Sequence, residues 1–157
     1  MTITRYDEVH LAGVLALCEA EGWPSLPSDP ARAHAVLTAP GVTTVVALAT
    51  AATAVDGELA GDGELVVDGE LVVDGELVGD GELVVGFAYL QSDGHIQAHL
   101  SQMAVHRDHR RKGIGRALLE YAVPLTGAQR VDLVTDSAND FYESFEHRTF
   151  SGFRIYP

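Results

Sequence analysis

Five of the ten lysine and arginine residues fall between Arg107 and Arg116: Arg107, Arg110, Arg111, Lys112 and Arg116, interleaved with Gly113 and Gly115. The whole chain carries a formal net charge of −13, so basic density of this kind points to a local anionic ligand. The run leaves a strand-like stretch ending in Val105 and enters Ala117-Leu118-Leu119-Glu120-Tyr121, which reads as strand, loop and helix start. A helix start leaves backbone N–H groups unpaired and carries partial positive charge, so it can hold a phosphate. Gly113 and Gly115 let the backbone approach such an anion closely. The spacings His95/His99 and His106/His109 could suggest a metal site. No Glu or Cys completes a known ligand pattern, and positive charges adjoin the second pair, so no metal is expected. A P-loop is excluded by the missing Gly-Lys-Ser/Thr, and a dinucleotide fingerprint by the missing third glycine.

Positioning this loop requires a sheet and helices, and the sequence supplies them in order. Ile3 to Tyr6 predicts a strand, Asp7 an N-cap, and Leu11, Val14, Leu15 and Cys18 an amphipathic helix ending near Gly22. Trp23-Pro24-Ser25-Leu26-Pro27 is a loop whose tryptophan reads first as packing and second as a pocket wall. Asp29-Pro30 starts a second helix through Leu37, and Pro40-Gly41 stops it. Strands follow at 42–49, at about 83–90 and from Ile96 to Val105. Beyond the basic loop, Ile114, Ala117, Leu118, Tyr121, Ala122 and Leu125 form a helical stripe. Arg130 to Thr135 alternates as a fifth strand, Ala138 to Phe145 is a short helix, and Thr149 to Tyr156 a closing strand. Hairpins followed by strand-helix-strand predict an α+β (mixed α/β) domain, residues 1–157, with a mixed, mostly antiparallel sheet flanked by helices on both faces.

Asp-Gly-Glu-Leu recurs five times from Asp56, at Asp62, Asp68, Asp74 and Asp80, and residues 56–85 hold ten acidic groups and no basic one. Copies this short cannot bury a solenoid core. Each offers a hairpin turn signal, so the segment reads as a multiplied turn inserted between the second and third strands, either zipped into a ribbon or mobile. Calcium binding by this array is a minor reading, because EF-hand ligand spacing is missing. Removing the insert leaves the rest near neutral, with eight acidic and eight basic groups over residues 86–157. One cysteine, Cys18, predicts a reducing compartment. With no signal-like start and no run of 18 apolar residues, the expectation is a soluble cytoplasmic protein without membrane contact.

Arg110-x-x-Gly113-x-Gly115, set between a strand ending in Val105 and an apolar helix, resembles the acetyl-CoA loop of the GNAT N-acetyltransferases. Ala138-x-x-Phe141-Tyr142-Glu143 is similar to the family's second signature, and with the element order the likeness covers nearly the whole chain outside residues 56–85. The resemblance implies the GNAT fold and acetyl transfer from acetyl-CoA to a primary amine by direct attack in a ternary complex. It implies that N–H groups from Arg111, Lys112, Gly113, Ile114, Gly115 and Arg116 wrap the coenzyme pyrophosphate, with charge from Arg110, Arg111 and Lys112. Met103, Ala104 and Val105 would pair with the pantetheine arm, the Val105 N–H polarising the thioester carbonyl. Tyr142 would protonate the departing thiolate, or else pack against Phe141.

For the general base, His99, a histidine satisfied within its strand, and water all stay open. By strict alternation Ser101 shares the His99 face and Gln102 does not. Thr135 stands where the family commonly has Asn, with Asn139 nearby, and Glu146-His147-Arg148-Thr149-Phe150 replaces the usual Gly-Phe. Glu19, Glu21 and Asp136 are acidic candidates for recognising a small-molecule or peptide amine acceptor. The resemblance leaves assembly open between monomer and homodimer. Two rival readings are a non-catalytic acyl-CoA-binding or regulatory module and a nucleic-acid binder. The latter is disfavoured because the basic run lacks interleaved aromatics and the remaining acidity opposes a second contact surface.

Overall fold

The computed structural model describes residues 1–50, 77–78 and 82–156. The calls on the repeats fall almost wholly outside the described residues. β1 (Thr2–Arg5) leads through a 3₁₀ turn into α1 (Leu11–Ala20), followed by α2 (Pro30–Leu37), β2 (Val42–Thr50) and the two-residue β3 (Leu77–Val78). β4 (Glu82–Ser92), β5 (Gln97–Val105), α3 (Ile114–Leu125), β6 (Arg130–Asp132) and α4 (Asn139–Glu143) complete the order. The sheet runs β1-β2-β4-β5-β6, with β3 on the free side of β4. All pairings are antiparallel except β5 with β6.

Local chemistry explains the helix starts. Asp7 accepts from the Val9 N–H, while the His10 ring accepts the Asp7 N–H at 2.9 Å, forming a reciprocal cap. Asp29 accepts the Arg32 N–H at 3.0 Å ahead of Pro30, a cap worth about 1 kcal/mol. The long apolar runs of β2 and β4 reflect burial on both faces. Val46, Leu48, Val84, Phe87 and Tyr89 face α1 and α2, whereas Val45, Ala47, Leu83, Val85, Ala88 and Leu90 face α3. Helices therefore cover both faces, as expected.

Two register shifts bend this frame, one between Ala47 and Leu48 opposite β4, the other between Tyr89 and Leu90 opposite β5. The second inserts Ser101 as an extra residue, so Gln102 stands opposite Tyr89 and shares its face. The alternation expected for Gln102 is overturned by this bulge.

Two further expectations change at the C-terminal end. The fifth strand stops at Asp132 instead of Thr135, because the parallel ladder spans only Gln97–His99 against Arg130–Asp132 before β5 bends away. Thr135 instead turns its hydroxyl to the Ala138 N–H at 3.0 Å and helps start α4. The closing strand expected over Thr149–Tyr156 does not form: the segment makes no ladder bonds among the described residues, where β6 offers it only three residues to pair with.

Candidate functional site

β5 ends, the basic loop begins and α3 starts within a dozen residues. His106 donates its N–H to Val85 O at 2.9 Å, closing the last rung toward β4. In an antiparallel ladder alternate residues turn their amides to the same neighbour, so Ala104, opposite Phe87, also faces β4. Met103 and Val105 then turn their N–H and C=O groups outward. Among the described residues that edge has no strand partner, because β6 pairs with β5 only as far as His99. Of the three residues expected along this edge, Met103 and Val105 present outward amides, whereas Ala104 is buried and bonded into the sheet.

Arg107–His109 form a 3₁₀ turn, after which the backbone becomes unusual. Arg111 has φ +61° and Gly113 φ +80°. Left-handed backbone at a non-glycine residue costs about 1–2 kcal/mol, so Arg111 stores strain in a loop that exposes donors. The first helical bond of α3 is Ala117 N–H to Gly113 O at 3.0 Å, and no hydrogen bond occupies the N–H groups from Arg111 to Arg116 among the described residues. Six consecutive N–H groups without a partner among the described residues lie at the positive end of α3, an arrangement whose chemistry suits an anion.

The two glycines serve different ends. Gly113 adopts the left-handed N-cap conformation. At Gly115 the helix approaches α4 so closely that an added Cβ would lie 3.2 Å from the Phe141 ring and 3.7 Å from Met103 Cε.

The basic side chains also divide. Arg110 donates from Nε to Val105 O at 2.9 Å and pairs with Glu21 at the end of α1. Arg116 donates to Ser144 O at 3.1 Å and Ser144 Oγ at 2.9 Å, and its guanidinium lies 4.0 Å over the Phe145 ring. These two arginines brace the loop against α1 and α4. Arg111 and Lys112 are exposed and make no ion pair among the described residues, which leaves them available to an anion. Nearby, burial first and the positive charge of Lys112 second hold the His109 pKa below its usual value.

Tyr142 lies on α4, half-buried, with its ring 4.9 Å from Phe141 in an edge-on arrangement, and burial raises its phenol pKa. It therefore stays protonated through neutral pH. Asn139, the first residue of α4, is exposed. His99 is exposed at the point where β5 and β6 part, opposite Gln91 and Asp132. With one bulge between them, His99 and Val105 are separated by about 17 Å of strand, while Met103 is about 10 Å away. On the α1 and α2 side, Gln102 Oε1 is buried without a hydrogen-bond partner, and the buried Ser101 Oγ lies beside the Tyr89 phenol. Alternation alone missed this pair, since no residue type announces the bulge.

Glu19, Gly22, Trp23, Pro24, Pro27 and Ser28 line a shallow cleft of about 410 Å³ beside the Glu21–Arg110 pair. Trp23 both packs on the core and walls this cleft. Glu21 is committed to Arg110, which the sequence did not reveal, whereas Asp136 is exposed in the turn before α4. Among the described residues no group of three or more His, Cys, Asp or Glu gathers in metal-binding geometry. No helix there is long and apolar enough to cross a membrane.

The comparisons with known proteins agree with this geometry. Residues 71–147 match the family model of the acetyltransferase (GNAT) domain. An acetyltransferase of Trypanosoma brucei superposes with a TM-score of 0.65 at 17% identity, covering 99% of this chain and 98% of that one. A ribosomal-protein-alanine N-acetyltransferase from Brucella melitensis biovar Abortus gives 0.62 at 16% identity, with 99% of both chains covered. An aminoglycoside acetyltransferase from an uncultured soil metagenomic sample gives 0.63 at 16% identity, with 99% and 97% covered. No curated protein matches the sequence. Residues 71–147 thus resemble the acetyltransferase (GNAT) domain, and the chain has the fold of the acetyltransferases on which it superposes. It is an acyltransferase, from a class that uses acetyl-CoA.

Proposed function

We propose that the protein transfers an acetyl group from acetyl-CoA to a primary amine by direct attack in a ternary complex. The observation that carries the reading is the continuous free-donor surface, outward Met103 and Val105 amides followed by six unpaired N–H groups from Arg111 to Arg116. The six N–H groups, with Arg111 and Lys112 above them, suit a pyrophosphate. The outward β5 edge suits an amide-bearing arm that adds to it as a partial strand.

The thioester supplies an activated acyl carbon. Either outward amide can donate to its carbonyl oxygen as negative charge develops there. His99 stands about 10 Å of strand from Met103 and about 17 Å from Val105, both beyond direct hydrogen-bond reach, so it acts as base only through water and only with an acyl group near Met103. In the transfer the new C–N bond forms and the C–S bond breaks. The amine proton passes to His99 or to water, and Tyr142 protonates the departing sulfur. Phenol and thiol have ordinary pKa values of about 10 and 8.5, so this last step is uphill, and the burial that raises the Tyr142 phenol adds to the climb.

Acceptor amines enter from the side of Glu19, Trp23, Ser101 and Gln102, where carboxylate, aromatic face and buried side-chain oxygens suit a cationic or hydrogen-bonding group. Small amines and peptide N-termini are both within this class, as are the acceptors named for the Brucella and soil-metagenome proteins. Under the same reading the chain is one domain in which residues 56–85 are a dispensable insert, works in the reducing cytoplasm, and is either a monomer or a homodimer. Thiol release measured across an amine panel tests the activity. Tight coenzyme binding with no thiol release on any amine would instead favour an acyl-CoA-binding module, a role compatible with Tyr142 merely packing on Phe141.

A further inference from the structure

The arginine that opens the loop motif is committed within the protein. Arg110 donates its own N–H to Arg107 O at 3.4 Å, donates from Nε to Val105 O at 2.9 Å and pairs through Nη2 with Glu21. Val105 O lies on the outward edge of β5, where no strand pairs among the described residues. The Arg110 Nε–H therefore stands where the amide of a neighbouring strand would stand, and it closes the edge at that carbonyl. A chain adding along the edge finds the N–H and C=O of Met103 and the N–H of Val105, and then meets the guanidinium.

Glu21 holds this guanidinium from the far side. It is the C-cap of α1, with its N–H bonded to Leu17 O at 3.1 Å. A carboxylate there sits at the negative end of the helix dipole, so α1 itself gains nothing from it. The Glu21 side chain is 27% exposed and that of Arg110 50%, and an ion pair this wet adds little to stability. What the pair supplies is direction. A free arginine samples many rotamers, whereas one bonded at Nε and anchored beyond it by a carboxylate keeps a single course across the loop.

We propose that Glu21 is a positioning residue for acetyl transfer: through Arg110 it sets a stop at Val105 O that fixes how far the pantetheine arm runs along β5. The stop thereby places the thioester carbonyl against the Val105 N–H. The proposal rests on the acetyl-CoA reading of the site. Without the stop Val105 O is a free acceptor and the arm can slide along the edge. That slide spoils alignment at the reacting carbon while the Arg111–Arg116 amides still hold the pyrophosphate.

The test reads kcat and the two binding constants separately in the full chain. Glu21→Ala and Arg110→Ala should each lower kcat by about tenfold at saturating acetyl-CoA and amine. The double variant should be no slower than either single one, because both remove the same stop. Acetyl-CoA affinity should stay nearly unchanged in Glu21→Ala. Tighter acetyl-CoA binding at unchanged kcat would show only that a negative charge had left the surroundings of an anion, and would overturn the proposal. A raised KM for the amine at unchanged kcat would make Glu21 an acceptor contact and overturn it as well, as would additive losses in the double variant or a loss of kcat that tracks a fall in the denaturation midpoint. The side-chain Nε–H resonance of Arg110, assigned by its disappearance in Arg110→Ala, reads the positioning without turnover. It should exchange slowly with water in the wild type and rapidly in Glu21→Ala, and equal exchange in the two would refute the anchor. Wild-type thiol release matched by Glu21→Ala defeats this proposal alone, whereas a wild type that releases no thiol with any amine defeats the acetyl-transfer reading and the proposal with it.

Discussion

The two segments that follow the basic half of the sheet differ in how they are held. From Gln97 to Leu125 every turn has an internal anchor. Asp93 accepts the N–H groups of His95, Ile96 and Gln97, Arg110 ties the loop to Val105 and Glu21, and Ile114, Leu118, Leu119 and Ala122 are buried under the sheet. From Arg130 to Tyr156 the anchors are sparse: a three-residue strand, a five-residue helix braced by Arg116, and a tail in solvent. The segment that holds the basic loop is fixed by ties within itself and to Glu21, whereas the segment that carries Tyr142 borrows its position from α3 through Gly115 and Phe141.

The largest effect should come from the anchor of the first segment. Leu118 is fully buried, and Leu118→Ala should cost about 2–5 kcal/mol in a denaturant titration. Tyr142→Phe should lower kcat by about 10²-fold or more with coenzyme affinity unchanged, and equal turnover would remove the tyrosine from the reaction. Gly115→Val crowds Phe141 and should lower kcat through displacement of α4 while leaving the Arg111–Arg116 donors able to bind coenzyme. Arg111→Ala with Lys112→Ala should weaken coenzyme binding and flatten its salt dependence, whereas Arg116→Ala should act on stability and turnover. A uniform salt effect across all basic positions would erase the division between bracing and free cations.

A smaller effect tests the frame through pH. His10 is 7% exposed, burial lowers its pKa, and its ring accepts the Asp7 N–H. Below about pH 6.5 the unfolded chain takes up this proton before the folded one does, so stability falls with falling pH until the lowered folded pKa is passed. The denaturation midpoint should therefore rise with pH over that window, and more shallowly in His10→Asn.

Much of the frame was legible because its signals are local. Asp7, Asp29-Pro30, Pro40-Gly41 and the stripe from Ile114 to Ala122 each announce an element within a few residues, and the structure places those elements within one or two positions. The turn between β5 and α3 was legible for the same reason. What was hidden depends on distant partners. Glu21 reveals its role only when the end of α1 meets Arg110. The face of Gln102 depends on a bulge set by β4, and Ala104 lost its expected place because ladder parity, not residue type, decides which amides face outward. Thr149 to Tyr156 has strand composition but lacks a template long enough to pair with it.

The central claim is that the outward edge of β5 and the six free amides at the start of α3 form one acetyl-CoA site. Backbone amide shifts recorded during an acetyl-CoA titration test it most directly. The account predicts saturable shifts at Met103, Val105 and Arg111 through Arg116, with Ala104 changing little. Binding that leaves these amides unmoved, or the absence of binding at millimolar coenzyme, would contradict it.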